Sequence, residues 1–178
     1  MKTAQASYPS RYDINAGILR EYDIRGLVGK TLGDIDAYFI GRAFGTMVKR
    51  RGGKSAVVGF DGRESSPGFA ANVMRGLTEC GLDVDSIGLG PTPMTYFAMK
   101  SRKLDAAVMV TGSHSPLSYN GIKMAYYDGP FYGAMVKEIG RIAAEGDFET
   151  AATPGVSYGD DGVSRGTTQR HGSQAAVT

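Results

Sequence analysis

The residues best suited to chemistry stand in a short polar segment, residues 111–116 (TGSHSP), directly after the most apolar run of the chain. A serine such as Ser113, in a small-residue turn at the carboxyl end of a strand, is approachable. Neighbouring backbone N–H groups can form an anion-binding nest around it. The same residues also make an ordinary polar turn. The segment alone therefore leaves a reactive serine and a structural turn both open.

A serine hydrolase is disfavoured by the surroundings of Ser113. His114 adjoins the serine, so the two side chains are expected to diverge, and no Gly-x-Ser-x-Gly elbow is present. The other histidine, His171, belongs to a polar C-terminal stretch. A Ser-His-Asp triad is therefore not expected.

Two further segments carry cations that suit phosphate. Residues 20–26 (REYDIRG) contain Arg25, and the planar fork of arginine binds phosphate well. A solvated loop with local ion pairs explains the same residues. Residues 120–123 (NGIK) form a turn entering a strand in the simplest interpretation. In the functional interpretation, they project the Lys123 ammonium into the cleft that would also hold Arg25 and the phosphate.

A third segment, residues 61–67 (DGRESSP), follows a strand and precedes a helix. In one interpretation it serves only to begin that helix, with Ser66 before Pro67 as its cap. Arg63 would then be a surface residue without a role in the site. In the alternative interpretation, Arg63 belongs to the site. Residues 91–93 (PTP) predict a rigid turn that places the next helix.

The elements that position these segments alternate between strand and helix. This order predicts an α/β fold, a three-layer α/β/α domain with a mostly parallel, mixed sheet and an irregular tail. Ligands in such sheets bind beyond the carboxyl ends of the strands. Strands are predicted over residues 55–60, 82–89, 106–110 and 120–127, and the last of these is expected at a sheet edge. Helices are predicted over residues 67–80, 94–101 and 133–145, and a further helix is predicted to follow Asp34, which would be its N-cap.

Composition excludes several classes of protein. The chain has 178 residues, 42% of them hydrophobic, and a net charge of +2, which does not fit a strongly basic nucleic-acid binder. The single cysteine, Cys80, excludes an intrachain disulfide. The sequence contains no apolar run long enough for a membrane span or a signal peptide. We therefore expect a soluble cytoplasmic protein.

Taken in order, the polar segments resemble the α-D-phosphohexomutase family, whose bacterial members include phosphomannomutase/phosphoglucomutase enzymes. The matching residues are 22–26, 59–63 with Ser65, 90–93, 111–116 and 120–123. The resemblance covers residues 15–150 and corresponds to the first of the family's four domains. Residues 1–14 are then an N-terminal extension. Residues 151–178, which lack Leu, Ile, Phe, Met and Lys, are expected to be a disordered or non-native tail.

The resemblance implies interconversion of hexose 1-phosphate and hexose 6-phosphate through a phosphoserine at Ser113 and a hexose 1,6-bisphosphate. It implies Mg²⁺ bound through the Ser113 phosphate, and glucose 1,6-bisphosphate as activator. Mannose and glucose phosphates are the implied partners. Tyr22, Arg25, His114 and Lys123 match family residues around the phosphoserine. Arg25 and Lys123 would neutralise the phosphate, and Lys123 or His114 would move a proton.

The chain also departs from the family. Gly112 and Ser115 stand where the family usually has Ala and Asn, and the family's metal-binding run, Asp-Gly-Asp-Gly-Asp-Arg, does not occur. These differences lead to the hypothesis of a truncated or frame-shifted first domain that is inactive or nearly so by itself. The alternatives are a non-catalytic phosphosugar-binding or assembly domain and, less compatible with the residues, a serine esterase.

Overall fold

The computed structural model describes residues 7–159, which form one mixed sheet with helices on both faces. The strands are β1 (Ile24–Leu27), β2 (Ser55–Phe60), β3 (Asp83–Leu89), β4 (Ala106–Val110), β5 (Tyr119–Tyr126), β6 (Gly129–Pro130) and β7 (Ser157–Tyr158). The helices are α1 (Asp34–Arg50), α2 (Ser66–Glu79), α3 (Thr92–Arg102) and α4 (Ala134–Glu145), and a 3-10 turn spans Ala16–Ile18. The predicted α/β/α fold is confirmed.

The sheet has the order β1-β5-β4-β2-β3-β7, with β6 paired to β5. Strands β2, β3, β4 and β7 run parallel to their neighbours within that group, whereas β5 is antiparallel to β1, β4 and β6. The prediction that residues 120–127 form an edge strand is therefore wrong. The edge position belongs to β1, whose polar sequence was interpreted as a loop.

Two cores of unequal size lie on the two faces of the sheet. Helices α1, α2 and α4 enclose the larger core, which contains Phe39, Phe44 and Val58. Helix α3 covers the smaller core on the other face, around Val57 and Ala107. Because side chains alternate along a strand, β5 sends Ile122 and Met124 into the larger core and Lys123 to the α3 face.

Helix α1 begins one position earlier than predicted. Asp34 is its first residue rather than its N-cap, and Gly33 takes the cap position. The Asp36 carboxylate accepts a hydrogen bond from the Gly33 N–H at 2.8 Å, which satisfies one of the free donors at the helix start. Lys49 and Arg50 in the last turn suit the negative end of the helix dipole.

Both flanks of the predicted domain pack against it as far as the structure describes them. In the expected N-terminal extension, Tyr8 stacks on Tyr38 with ring centroids 4.1 Å apart, and Ile14 is buried. In the expected tail, Gly155 donates a backbone hydrogen bond to Thr78, and β7 pairs with β3. Residues 151–159 are therefore attached to the sheet rather than disordered, while the tail from residue 160 lies outside the described residues.

None of the helices within residues 7–159 is both long enough and apolar enough to cross a membrane.

Helices α1 and α2 approach closely because glycines lie at their contact. A Cβ added to Gly76 would lie 2.5 Å from the Tyr38 carbonyl oxygen and 2.6 Å from the Arg42 backbone nitrogen. A Cβ added to Gly41 would lie 2.4 Å from the Val73 carbonyl oxygen. In each case the added Cβ would meet backbone atoms of the other helix, and a change of side-chain rotamer cannot relieve such a contact. These close contacts set the position of α2 and of the loop that precedes it.

We predict that Gly76→Ala destabilises the protein by about 2 kcal/mol, since overpacking of this contact outweighs the roughly 1 kcal/mol gained in helix propensity. Urea unfolding measures the change. Gly68→Ala in the same helix is the matched control, because the nearest atom to its added Cβ is 3.5 Å away. We expect the control to be neutral or stabilising. Equal effects of the two substitutions would contradict the packing argument.

Candidate active site

The predicted serine lies on an exposed turn after β4. Ser113 has a φ of 53°, in the left-handed region that residues other than glycine seldom adopt. Its N–H donates to the Thr111 hydroxyl at 2.9 Å, and the Ser115 N–H donates to the Gly112 carbonyl at 3.0 Å. Such a conformation persists only where the surroundings hold it. The turn presents Ser113 and His114 to solvent.

Arg63 holds this turn from beneath. Its side chain is only 9% exposed, and its guanidinium donates hydrogen bonds to four backbone carbonyls. One terminal nitrogen reaches Pro116 at 2.8 Å and Tyr119 at 2.9 Å, and the other reaches Ser113 at 3.1 Å and Ser115 at 2.8 Å. Of the two interpretations of Arg63, surface decoration is therefore wrong.

Gly112 provides the room that this guanidinium occupies. A Cβ built on Gly112 would lie 2.3 Å from the Arg63 Cζ atom, well inside van der Waals contact. The absence of a side chain at residue 112 thus has a specific structural use. It lets the flat guanidinium lie directly against the backbone of the serine turn.

The Asp61 carboxylate completes the support. One oxygen accepts from the Thr111 hydroxyl at 2.9 Å, the Gly112 N–H at 3.2 Å and the Arg63 Nε at 3.1 Å. The other oxygen accepts from the Ser66 hydroxyl at 2.5 Å and the Arg63 N–H at 3.1 Å. Burial, the largest single influence, raises the pKa of Asp61, but the hydrogen bonds together outweigh it and hold the pKa below its usual range.

Ser66 was expected to cap α2, but it does not. It is the first residue of the helix, and its hydroxyl points to Asp61 instead. The buried amide of Asn120, at the start of β5, donates to the hydroxyls of Ser65 and Ser66 at 2.8 and 2.9 Å. These contacts link the loop after β2 to the strand that carries Lys123.

The two predicted cations meet at a residue that the sequence analysis did not single out. Arg25 donates to the Ser115 hydroxyl at 2.9 Å, so it contacts the serine turn directly. Its other terminal nitrogen lies 2.6 Å from Asp23 Oδ2, and the Lys123 Nζ lies 2.7 Å from the same oxygen. Alternation was the available signal, because it places Asp23 and Arg25 on the strand face opposite buried Ile24.

Tyr22 and His114 lie at the rim. Tyr22 is 74% exposed, with its ring 6.5 Å from that of Tyr132. It lines a groove of about 630 Å³ that Lys123 and Tyr96 also line. His114 is exposed and makes no hydrogen bond to any other residue between 7 and 159. The structure therefore joins Arg25 and Lys123 but leaves Tyr22 and His114 without bonds to them.

The described residues do not by themselves form a magnesium site. Within residues 7–159, no group of three or more His, Cys, Asp or Glu side chains is arranged to hold a metal ion. Two acids that contact the support of the serine turn, Asp23 and Asp61, are already engaged by cations and hydrogen-bond donors. Mg²⁺ needs near-octahedral oxygen ligands, and this part of the chain does not supply that set.

We predict that Arg63→Lys lowers the unfolding free energy by roughly 2–3 kcal/mol, because lysine cannot reach four carbonyls and leaves part-buried acceptors unpaired. Urea unfolding gives the magnitude, and hydrogen exchange at residues 112–115 locates the loosening. Arg102→Lys is the control, since Arg102 is half exposed and its ion pair with Asp85 is a surface one. A loss of stability no larger than in the control would contradict the role of Arg63 in holding the serine turn.

We predict that Asp61→Asn destabilises the protein at pH 7 by about 1–3 kcal/mol, because a carboxylate is a stronger acceptor than an amide oxygen. The folded-state pKa of Asp61 lies below its unfolded value of about 4. The stabilisation is therefore complete above pH 4 and is lost as the pH falls through the folded value. Unfolding of both proteins between pH 7 and 3 should show the difference shrinking with acid, whereas a constant difference contradicts the assignment.

Comparison with known proteins places this geometry in a family. Residues 16–150 match the family model described as phosphoglucomutase/phosphomannomutase, alpha/beta/alpha domain I. A phosphoglucomutase of Neisseria gonorrhoeae is 41% identical over 142 residues, covering 80% of this chain and 31% of that protein. A phosphomannomutase/phosphoglucomutase of Pseudomonas aeruginosa is 44% identical over 124 residues, covering 70% of this chain and 26% of that protein.

A solved structure agrees with the sequence matches. The crystal structure of a phosphoglucomutase/phosphomannomutase family protein from Burkholderia thailandensis superposes with a TM-score of 0.79 at 38% identity, covering 82% of this chain and 33% of that one. The chain thus spans about a third of the length of the relatives it matches. On these matches, it belongs to the phosphoglucomutase/phosphomannomutase family, in the region of that family's α/β/α domain I.

Proposed function

We propose that Ser113 carries a phosphoryl group in the interconversion of hexose 1-phosphates and hexose 6-phosphates. The observation that carries the proposal is the exposed Ser113 turn, which Arg63 clamps from below and which Ser115 ties to the Arg25 guanidinium. Relatives named phosphoglucomutase and phosphomannomutase/phosphoglucomutase support glucose and mannose phosphates as the substrate class. The complete isomerisation is proposed for a protein of the relatives' length, whereas the charging of Ser113 with phosphate is proposed for this domain itself.

The chemical step is a transfer between two oxygens. The Ser113 Oγ attacks a phosphorus of a hexose 1,6-bisphosphate, and an O–P bond forms as the bond from phosphorus to the sugar oxygen breaks. The serine hydroxyl gives up its proton, the sugar oxygen gains one, and a hexose monophosphate leaves. In the second half of the cycle, the free hydroxyl of the other hexose monophosphate isomer attacks the phosphoserine. An O–P bond to the sugar forms as the Ser113 O–P bond breaks, the sugar hydroxyl gives up its proton and the serine oxygen gains one, which regenerates a bisphosphate and completes the isomerisation.

Charge neutralisation is the main contribution of the side chains. Phosphoryl transfer needs little covalent help but requires positioning and compensation of negative charge. Arg25 is within hydrogen-bond distance of the turn itself, and Lys123 is fixed beside Arg25 through Asp23. We assign both the role of neutralising the phosphate oxygens. Their preset positions reduce the reorganisation that the reaction would otherwise require.

The proton transfers have two candidate groups. The Lys123 ammonium has protons to donate, so it suits the departing sugar oxygen. The His114 imidazole, exposed on the same turn as Ser113, is the other group proposed to move a proton to or from the sugar hydroxyl. Tyr22, at the rim of the groove beside Lys123, is proposed to contact the sugar phosphate.

Mg²⁺ and glucose 1,6-bisphosphate remain part of the proposal on the strength of the family resemblance. A phosphoserine at residue 113 would give Mg²⁺ one oxygen ligand, and the ion would supply further positive charge to the phosphate. No step above depends on it. Glucose 1,6-bisphosphate is the phosphoryl donor that would charge Ser113.

We predict that the chain, incubated with glucose 1,6-bisphosphate and Mg²⁺, gains one phosphate at Ser113, located by peptide mass spectrometry. Ser113→Ala should abolish the label. Ser118→Ala is the matched control, because Ser118 is an exposed serine of the same loop and should leave the label in place. Arg25→Met and Lys123→Met should each slow labelling by about tenfold or more, as loss of a charge contact with the transferred group typically does.

The other outcomes separate the alternatives. Calorimetric binding of glucose 1,6-bisphosphate without label would favour a non-catalytic phosphosugar-binding domain. Reaction of Ser113 with a fluorophosphonate would favour an esterase. Phosphate on another residue, or neither label nor binding, would overturn the proposal.

A further inference from the structure

Asp23 stands at the centre of the cationic cluster, and it has no role in the proposed reaction so far. It directly precedes β1 and is 8% exposed. A single carboxylate oxygen, Oδ2, accepts from both Arg25 and Lys123, at 2.6 and 2.7 Å. Both contacts are as short as charge-assisted hydrogen bonds become.

The sheet brings these groups together. Ile24 of β1 lies opposite Ile122 of β5. The neighbouring pair, Asp23 and Lys123, is therefore also side by side, on the face opposite those buried isoleucines. Lys123 belongs to the sheet ladder and Asp23 directly precedes its first pair, so the strand register brings carboxylate and ammonium together.

Arg25 has few other restraints. One terminal nitrogen contacts Asp23 and the other contacts Ser115 in the serine turn. Its Nε is buried and has no hydrogen-bond partner among the described residues. The direction of the guanidinium is thus determined by Asp23 on one side and by the turn on the other.

The charge of Asp23 also acts on the α3 side of the sheet. Tyr96 of α3 has a pKa raised first by burial and then by the negative charge of Asp23. Lys123, which the Asp23 carboxylate contacts at 2.7 Å, lines the same groove as Tyr96, so the carboxylate lies on this side of the sheet. Without it, Arg25 and Lys123 would repel each other across the place where a phosphate is proposed to bind.

We propose that Asp23 is a positioning residue, which holds the Arg25 guanidinium and the Lys123 ammonium in one arrangement beside the serine turn. The three groups together carry one net positive charge and are preset to meet a phosphoryl group. This inference rests on the proposed function of Ser113, because the arrangement matters for reaction only if phosphate is transferred there. Asp23 acts through the two cations and not on the substrate.

The test compares Asp23→Asn and Asp23→Glu with the control Asp85→Asn. Asp85 lies in β3, and its carboxylate pairs with Arg102 of α3. At saturating glucose 1,6-bisphosphate, we expect Asp23→Asn to slow Ser113 labelling about tenfold to a hundredfold, since small misplacements of catalytic groups have effects of this size. Asp23→Glu should recover part of the rate, and Asp85→Asn should match the wild type. Circular dichroism and urea unfolding establish that each variant is folded under the assay conditions.

A double-mutant cycle identifies the route of the effect. If Asp23 acts through Lys123, then Asp23→Asn should slow labelling several-fold less in a Lys123→Met background than in the wild type. Fully multiplicative effects of the two substitutions would overturn the proposed connection. An unaltered labelling rate in folded Asp23→Asn would overturn the positioning role itself.

One measurement does not depend on phosphoryl transfer. Acetic anhydride at fixed pH should modify Lys123 several-fold faster in Asp23→Asn than in the wild type, because the ammonium loses its carboxylate partner. The exposed Lys30 serves as the internal reference for the rate of modification. Unchanged modification of Lys123 would refute the contact. If the wild type takes no phosphate but Lys123 responds as expected, the proposed function fails while the contact stands, so the two failures are distinguishable.

Discussion

The site depends above all on one buried cation, the guanidinium of Arg63. A surface turn has no ladder or helical hydrogen bonds of its own, so its carbonyls normally face water. Here four carbonyls of the serine turn and the start of β5 converge on Arg63. The positive charge lets oxygens that would repel one another share one partner. Ser113 can therefore keep a left-handed backbone and an outward-facing side chain.

The clamp is itself positioned by the core. Arg63 is bound to Asp61, and Asp61 is bound to Ser66 at the first turn of α2. The glycine contacts between α1 and α2 fix how close α2 lies to the rest of the larger core. A tight helix crossing thus determines, through a short loop, where the reactive turn sits above the sheet. The position of the serine turn at this end of the sheet therefore depends on the packing of the larger core.

The predictable and unpredictable parts of the molecule differ in physical origin. The apolar runs of β2 and β4 have the bounds predicted from sequence because strands buried on both faces need continuous apolar residues. Strand β1 was missed because, of its two buried positions, Ile24 and Gly26, only Ile24 gives a clear apolar signal among charged neighbours. The register that joins Asp23 to Lys123 is a property of strand pairing between distant segments, which no local pattern contains.

Arg63 shows the same limit at the level of one side chain. Its sequence neighbours fit a helix cap as well as they fit a buried clamp, since what decides between them is a turn fifty residues further along the chain. Likewise, Gly112 and Ser115 could be recognised as departures from the family. Their uses, as room for a guanidinium and as a link to Arg25, became visible only with the loop and strands in place.

The separation of these partners along the chain has a consequence for biogenesis. Asp23 and Lys123 are 100 residues apart, and Arg25 and Ser115 are 90 residues apart. Contacts of such long range form slowly and late, after most of the chain-closure entropy has been lost. During synthesis, Asp23 and Arg25 must wait until β5 has emerged from the ribosome. A nascent chain that stops short of residue 123 would display Asp23 and Arg25, two of the three charged groups, without the Lys123 ammonium.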